Sequence, residues 1–166
     1  YEDNYDAIEA IFKRLERSEI LNPEMHEIYL GWGYILSELA YITSDIATYQ
    51  ASIEKFSKVS ELNPSVVEHS QSWGTNLLML AKLTEKVSYN SQALEQLEIS
   101  ERFYSTSVYN LACAYTRLGQ IEKAKSKLVI CKENNTLPPK EFLLNDADMS
   151  FFYDTPWFEE LVASLE

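Results

Sequence analysis

The side chains of this chain with chemistry beyond packing are two histidines, two cysteines and one closely spaced aspartate pair. His26 and His69 belong to no HExxH pair and no nucleophile–base set, and a lone imidazole needs a partner to move protons. They sit near corresponding helix starts and are read as surface or packing residues. Cys113 and Cys131 form no CxxC motif and no metal-ligand set, so neither a redox centre nor a disulfide framework is expected. Asp146-x-Asp148 raises the question of a cation, but two carboxylates are too few oxygen ligands for Ca²⁺ or Mg²⁺. Four glycines build no phosphate loop. No acid–base or nucleophile constellation is left, so we expect no catalytic residue, no metal, no cofactor and no enzyme.

Charge narrows the partners. The chain holds 26 acidic and 14 basic residues, a formal net charge of −12. Nucleic acid is not expected as a partner, because phosphate contacts need clustered Lys and Arg. Anionic lipid is disfavoured for the same reason. No apolar run approaches the roughly 18 residues that cross a bilayer, so no membrane insertion is expected. The first residue is Tyr1 rather than Met, so a natural start further upstream is expected. The compartment stays open, with the cytoplasm favoured over export. One stretch runs against the acidic trend: Arg117, Lys123, Lys125, Lys127 and Lys132 face a single Glu122. It is read as a solvated face paired with the acidic C-terminal segment, in preference to a docking site for an acidic partner.

What must position any site is a repeat. Leu21–Thr43 and Leu62–Thr84 start 41 residues apart and share ten residues in the same columns. Trp32-Gly33 and Trp73-Gly74 are among them, followed by Leu36, Leu39, Ala40 and Leu77, Leu80, Ala81 at helical spacings of three and four. Gly33 and Gly74 each weaken a helix by about 1 kcal/mol relative to Ala, which a helix tolerates where another must come close. Pro23 and Pro64 sit where a helix can begin but cannot continue. A second helical pattern, Ile46, Tyr49, Ile53, Phe56, Val59 and Leu62, joins the copies, with Ser44 or Asp45 as its cap. Ala93, Leu94, Leu97 and Ser100 follow the second copy in the same way. Ile8, Ile11, Phe12 and Leu15 precede the first, so the chain opens on half a unit. No strand-like alternation of any length occurs.

A third unit carries Leu111-Ala112-x-x-Tyr115, Gly119, Ala124 and Leu128. This spacing resembles the tetratricopeptide repeat (TPR), whose pattern is W-x2-L-G-x2-Y, then A-x3-F, then P, over about 34 residues. Trp32-Gly33-x-x-Leu36 with Ser52-x-x-x-Phe56 and Pro64, and Trp73-Gly74-x-x-Leu77 with Ala93-x-x-x-Leu97, fit the same frame. The ending, Asn145-Asp146-Ala147-Asp148-Met149 and then Asp154-Thr155-Pro156-Trp157-Phe158, resembles the tail that closes bacterial TPR arrays. Met149, Phe152, Trp157, Phe158 and Leu161 are expected to cover the open end of the stack. The resemblance implies an all-α, right-handed superhelical stack of antiparallel helix pairs, an α-solenoid. It divides one array into a half-repeat helix (1–22), repeats at 23–64, 65–105 and 106–136, and a closing segment (137–166). The period departs from the family. Twelve positions separate Ala40 from Ser52 and Ala81 from Ala93, against five from Gly119 to Ala124. Seven extra residues are about two helical turns, so longer helices are expected in the first two pairs rather than an irregular insert.

The resemblance also implies a use: the first helices of the pairs line a concave groove that binds a peptide or protein segment without catalysis. The expected groove residues are Glu27, Leu30, Tyr34, Ser37 and Glu38; Glu68, Gln71, Thr75, Leu78 and Met79; and Thr106, Tyr109, Asn110, Cys113, Thr116 and Arg117. Cys113 is then the thiol to test for reactivity, while Cys131 takes a small, buried position. The clamp that holds chaperone C-termini needs lysines, and this chain offers Leu30, Tyr34, Ser72 and Thr106 at those places, with Asn110 alone agreeing. No binding of acidic C-terminal tails is expected. Glu27, Glu38 and Glu68 beside Tyr34, Met79 and Tyr109 suit an apolar or mildly basic segment, so charge reversal at Glu27 and Glu68 is expected to weaken binding. The alternatives are self-association through the N-terminal half-repeat and an acidic, inhibitor-type binder of a basic protein.

Overall fold

The computed structural model describes residues 2–104 and 108–165, with side chains from Ile8 onward. Thr106 and the boundary between 105 and 106 lie outside the described residues. The helices are α1 (Glu2–Leu21), α2 (His26–Thr43), α3 (Ile46–Leu62), α4 (Ser70–Thr84), α5 (Ser88–Tyr104), α6 (Val108–Arg117), α7 (Ile121–Glu133), α8 (Lys140–Asn145) and α9 (Pro156–Ala163). A 3₁₀ helix, Ala147–Phe152, lies between α8 and α9, and no strand occurs among the described residues. Adjacent helices pack pairwise, α2 on α3, α4 on α5 and α6 on α7, and each pair leans on the next through α3–α4 and α5–α6. The protein is an all-α stack of helix pairs.

The pairs close on their glycines. A Cβ built on Gly33 would lie 2.5 Å from the Phe56 ring, and one on Gly74 2.6 Å from Cγ of Leu97. The third pair places Ala112, fully buried, at the same repeat position, in one core cluster with Leu128. Short turns join the two helices of each pair through a left-handed residue: Ser44 (φ 54°), Glu85 (φ 56°) and Gly119 (φ 69°). Glycine carries that conformation at no steric cost, whereas a side chain there is strained. Glu85→Gly, at an exposed turn, is therefore expected to raise stability by about 0.5–1 kcal/mol, read as a higher denaturation midpoint at unchanged m-value. Asp45 is the cap of α3, its carboxylate accepting from Thr48 N at 2.8 Å.

The seven extra residues are helix, as the phase of the apolar faces requires. α2 and α4 continue three residues past Ala40 and Ala81, whereas α6 stops two residues before Gly119. α3 starts six residues before Ser52 and α5 five before Ala93, against three between Ile121 and Ala124.

The copies differ at their starts. α2 begins three residues after Pro23, but α4 begins only at Ser70, six after Pro64. An Asn63 side chain bonded to Ser65 Oγ at 2.6 Å holds the chain in a turn there. Glu68 is thus an exposed residue of that turn and not part of the helix face the repeat assigned it to.

The main core runs from Leu77 and Leu97 through Leu111 and Leu128 to Met149, Phe152 and Phe158, all essentially buried. The C-terminal segment therefore covers the third pair, with Leu161 buried and Trp157 partly so. The basic stretch is mostly engaged: Lys127 pairs with Glu101 of α5 at 2.5 Å, Arg117 with Asp148, and Lys125 stands over the Trp157 ring.

Candidate functional site

Two adjoining cavities follow the first helices of the pairs. The larger, about 400 Å³, lies between α4, α6 and the C-terminal segment, with Thr75, Met79, Tyr109, Asn110, Arg117 and Phe142 in its walls. The smaller, about 270 Å³, lies between α2 and α4 and is lined by Glu38, Tyr41, Tyr49, Gln71, Asn76 and again Thr75 and Met79. Thr75 and Met79 border both, so the two cavities adjoin along α4.

The larger cavity is built by long-range polar contacts. Tyr109 Oη donates to Asp146 Oδ2 at 2.7 Å. Arg117 holds Asp148 with two bonds, Nε–Oδ1 at 2.6 Å and Nη2–Oδ2 at 2.9 Å, and its Nη1 donates to the Leu78 carbonyl at 2.9 Å. Tyr109 and Arg117 thus tie the C-terminal segment to α6, and Arg117 also ties it to α4. Asn110 Nδ2 donates to Thr75 Oγ1 at 2.9 Å, which leaves its amide oxygen without a partner among the described residues. Arg117→Ala is expected to cost about 1–2 kcal/mol, because three charge-assisted bonds to two elements are lost, and to speed amide exchange through residues 146–153. Arg117→Lys is expected not to restore it, since an ammonium cannot make the paired contact.

Cys113 lies at the floor of this cavity, only 4% exposed. Its sulfur and the carboxylates of Asp146 and Asp148 come within 4.8 Å of one another, a group of the kind that holds metals. Its chemistry does not fit. A metal ligand is a thiolate, whereas burial and then the two aspartates push this thiol well above its ordinary range. Asp148 is committed to Arg117, and Asp146 accepts from Tyr109 and, through Oδ1, from Asp148 N at 3.0 Å. The cluster is an anchor for the C-terminal segment. Cys131 is fully buried and its thiol is also raised by burial. Neither cysteine is expected to react with an aromatic disulfide reagent until the protein unfolds; rapid reaction under native conditions would contradict this burial.

Behind the smaller cavity sits a buried polar cluster joining three helices. Ser52 Oγ of α3 donates to the Gly33 carbonyl of α2 at 2.8 Å. Ser37 Oγ lies 2.9 Å from Ser52 Oγ, and Asn76 Nδ2 of α4 reaches both hydroxyls, at 2.7 and 3.0 Å. Ser52 has spent its proton on Gly33, so Ser37 donates to Ser52 and both accept from the amide. Ser37, expected on the open groove, is instead 8% exposed, at the back of the cavity.

The remaining expected residues scatter. Glu27 is exposed in the first turn of α2, beside His26 at 3.3 Å, and borders neither cavity. Tyr34 is half-buried with its ring edge-on to Phe56 at 5.4 Å, within electrostatic reach of Glu68. Glu38 and Gln71 line the smaller cavity. Tyr41, Tyr49, Asn76 and Phe142 were not read as groove residues. The one signal for Asn76 is an amide set within the apolar run of α4, beside Leu77 and Leu78.

No family model, curated protein or solved structure matches this chain. The functional reading therefore rests on the repeat pattern and the groove geometry.

Proposed function

We propose that this chain is a TPR-type interaction module, without catalytic activity, that binds a peptide segment of a partner protein along α2, α4 and α6. The observation that carries the reading is that two cavities adjoin at Thr75 and Met79, on the helices that line the groove in such arrays. The groove mixes apolar wall, from Met79, Leu78 and Phe142, with polar groups that read a backbone: the Asn110 amide presents an acceptor beside it. A small number of placed polar groups in an apolar cleft is the composition of a recognition site.

The test is a peptide selected from a random display library and titrated by calorimetry. Met79→Arg, which projects a charge into the wall common to both cavities, is expected to abolish binding, and Asn110→Ala to weaken it about tenfold. Unchanged affinity in both variants would sink the reading. A free acidic C-terminal tail peptide is expected to give no measurable heat.

A second reading, association between copies through α1, draws on Ile8 and Ile11, exposed at 38% and 42% while Phe12 packs toward Trp32. Sedimentation at several concentrations separates the two: a concentration-independent monomer that binds a selected peptide leaves only the groove.

A further inference from the structure

The polar side chains of the larger cavity are spent on one another. Asp146 accepts from Tyr109 at 2.7 Å, from the Cys113 thiol at 3.9 Å and from the Asp148 backbone at 3.0 Å. Arg117 places Nε and Nη2 on Asp148 and Nη1 on the Leu78 carbonyl. Asn110 donates to the Thr75 hydroxyl, which donates in turn to the Gln71 carbonyl at 2.9 Å. No buried side-chain atom of this lining lacks a partner among the described residues. The charges cancel as well, Lys82 and Arg117 against Asp146 and Asp148, in a chain whose net charge is −12.

What is left to meet a guest is apolar. Met79 of α4, the ring of Tyr109 on α6, and Pro138, Pro139 and Phe142 of the C-terminal segment border the space. Phe142 is 56% exposed, its ring edge-on to Tyr109 at 6.2 Å. A ring held in water beside an open cavity keeps apolar surface hydrated, and a guest that covers it recovers that cost. The two prolines add apolar rings and no backbone N–H. Other guests fare worse. A basic group would stand beside Lys82 and Arg117 and find both aspartates taken. A carboxylate would meet those aspartates and find Arg117 taken. In either case a charge would leave water for groups that already have partners. The Asn110 oxygen is a single acceptor, which one backbone N–H of a peptide satisfies.

We infer that the larger cavity takes a large apolar side chain, aromatic or branched aliphatic, that anchors the segment bound in the groove. The inference rests on the groove reading and names the residue class that the partner segment must carry at this place. The volume, about 400 Å³, leaves room for a whole aromatic ring.

The experiment takes one display-selected peptide and the full chain. Each peptide residue is replaced in turn by alanine and the affinity measured by calorimetry. Truncation of one large apolar residue is expected to cost at least about tenfold. That residue is expected to show NOEs to the Met79 methyl and the Phe142 ring, and its replacement by lysine or glutamate to weaken binding at least as much as alanine does. Phe142→Ser is expected to weaken the parent peptide about fivefold at an unchanged melting temperature. The peptide with alanine at the anchor is expected to bind that variant and the parent protein alike, because the two losses are one contact. Apolar residues that all tolerate alanine within about fivefold, a charged residue giving the NOEs to Met79 and Phe142, or full affinity in Phe142→Ser overturns this inference alone. If no peptide is selected, the Nα-acetyl methylamides of phenylalanine, leucine, lysine and glutamate decide by NMR. Shifts at Met79 and Asn110 from the two apolar probes only would overturn the groove reading and keep the preference of the cavity. Equal shifts from all four, or none, would overturn both.

Discussion

Gly33→Ala is expected to destabilise the protein by about 2 kcal/mol, although alanine is the better helix former by about 1 kcal/mol. The added methyl would meet ring carbons of Phe56 at 2.5 and 2.6 Å, about an ångström inside contact distance. Phe56 has nowhere to turn. It is fully buried, with Tyr34 edge-on at 5.4 Å and the His69 ring stacked at 5.5 Å. Relief then requires α2 and α3 to separate, which would also stretch the 2.8 Å bond from Ser52 to the Gly33 carbonyl. Gly31, two residues away in the same helix, is the control. A Cβ there meets nothing within 4 Å, so Gly31→Ala is expected to stabilise by about 0.5–1 kcal/mol. Denaturant melts of the two variants should move in opposite directions. A stabilised Gly33→Ala would mean that the pairs do not close on their glycines.

Acidification from pH 6.5 to pH 4 is expected to remove on the order of 3 kcal/mol through His69 alone. His69 is 1% exposed, with its ring between Phe56 and Trp73 at 5.5 and 5.7 Å. Its Nε2 meets Ser60 Oγ at 2.9 Å, and its Nδ1 has no partner among the described residues. A bare lone pair is easier to bury than a bare N–H, so the proton is assigned to Nε2, donating to Ser60. Burial disfavours the imidazolium and lowers the pKa from 6.5 to about 4. Above pH 6.5 both states are neutral and the group contributes no slope. Between 6.5 and 4 the unfolded chain takes up a proton that the folded chain refuses, so stability falls as pH falls. His69→Phe keeps the stack and removes the titration. Its stability is expected to stay flat over that window relative to the parent, and comparing the two proteins cancels the carboxylates. Parallel pH profiles would show that His69 titrates as freely when folded as when unfolded.

The elements were legible because the packing is written in small-to-large pairs. Gly33 against Phe56 and Gly74 against Leu97 reproduce a spacing that only helix pairs explain. The two-turn extension followed from phase alone. Periodicity names a face, however, and does not say which polar side chains on it find partners. Ser37 has the offset of a groove residue, yet Ser52 and Asn76, 15 and 39 residues away, draw it into the interior. Tyr109 and Arg117 have the offsets of ligand-binding residues, yet the aspartates they hold lie 37 and 31 residues on. Glu68 was misplaced because the first copy starts its helix soon after proline. In the second copy the turn runs on until His69 is buried under Trp73. Tyr49 belongs to the helical pattern of α3, and its ring is core. Its hydroxyl is buried as well but finds no partner among the described residues, which spacing cannot reveal.

The most direct test of the proposed groove is a map of amide chemical-shift changes on adding one display-selected peptide to the labelled protein. The changes are expected to concentrate at Gln71, Thr75, Met79 and Asn110, with smaller ones at Glu38 and Phe142. A footprint on α1, or on α3, α5 and α7 away from these residues, would place the partner surface elsewhere and contradict the account.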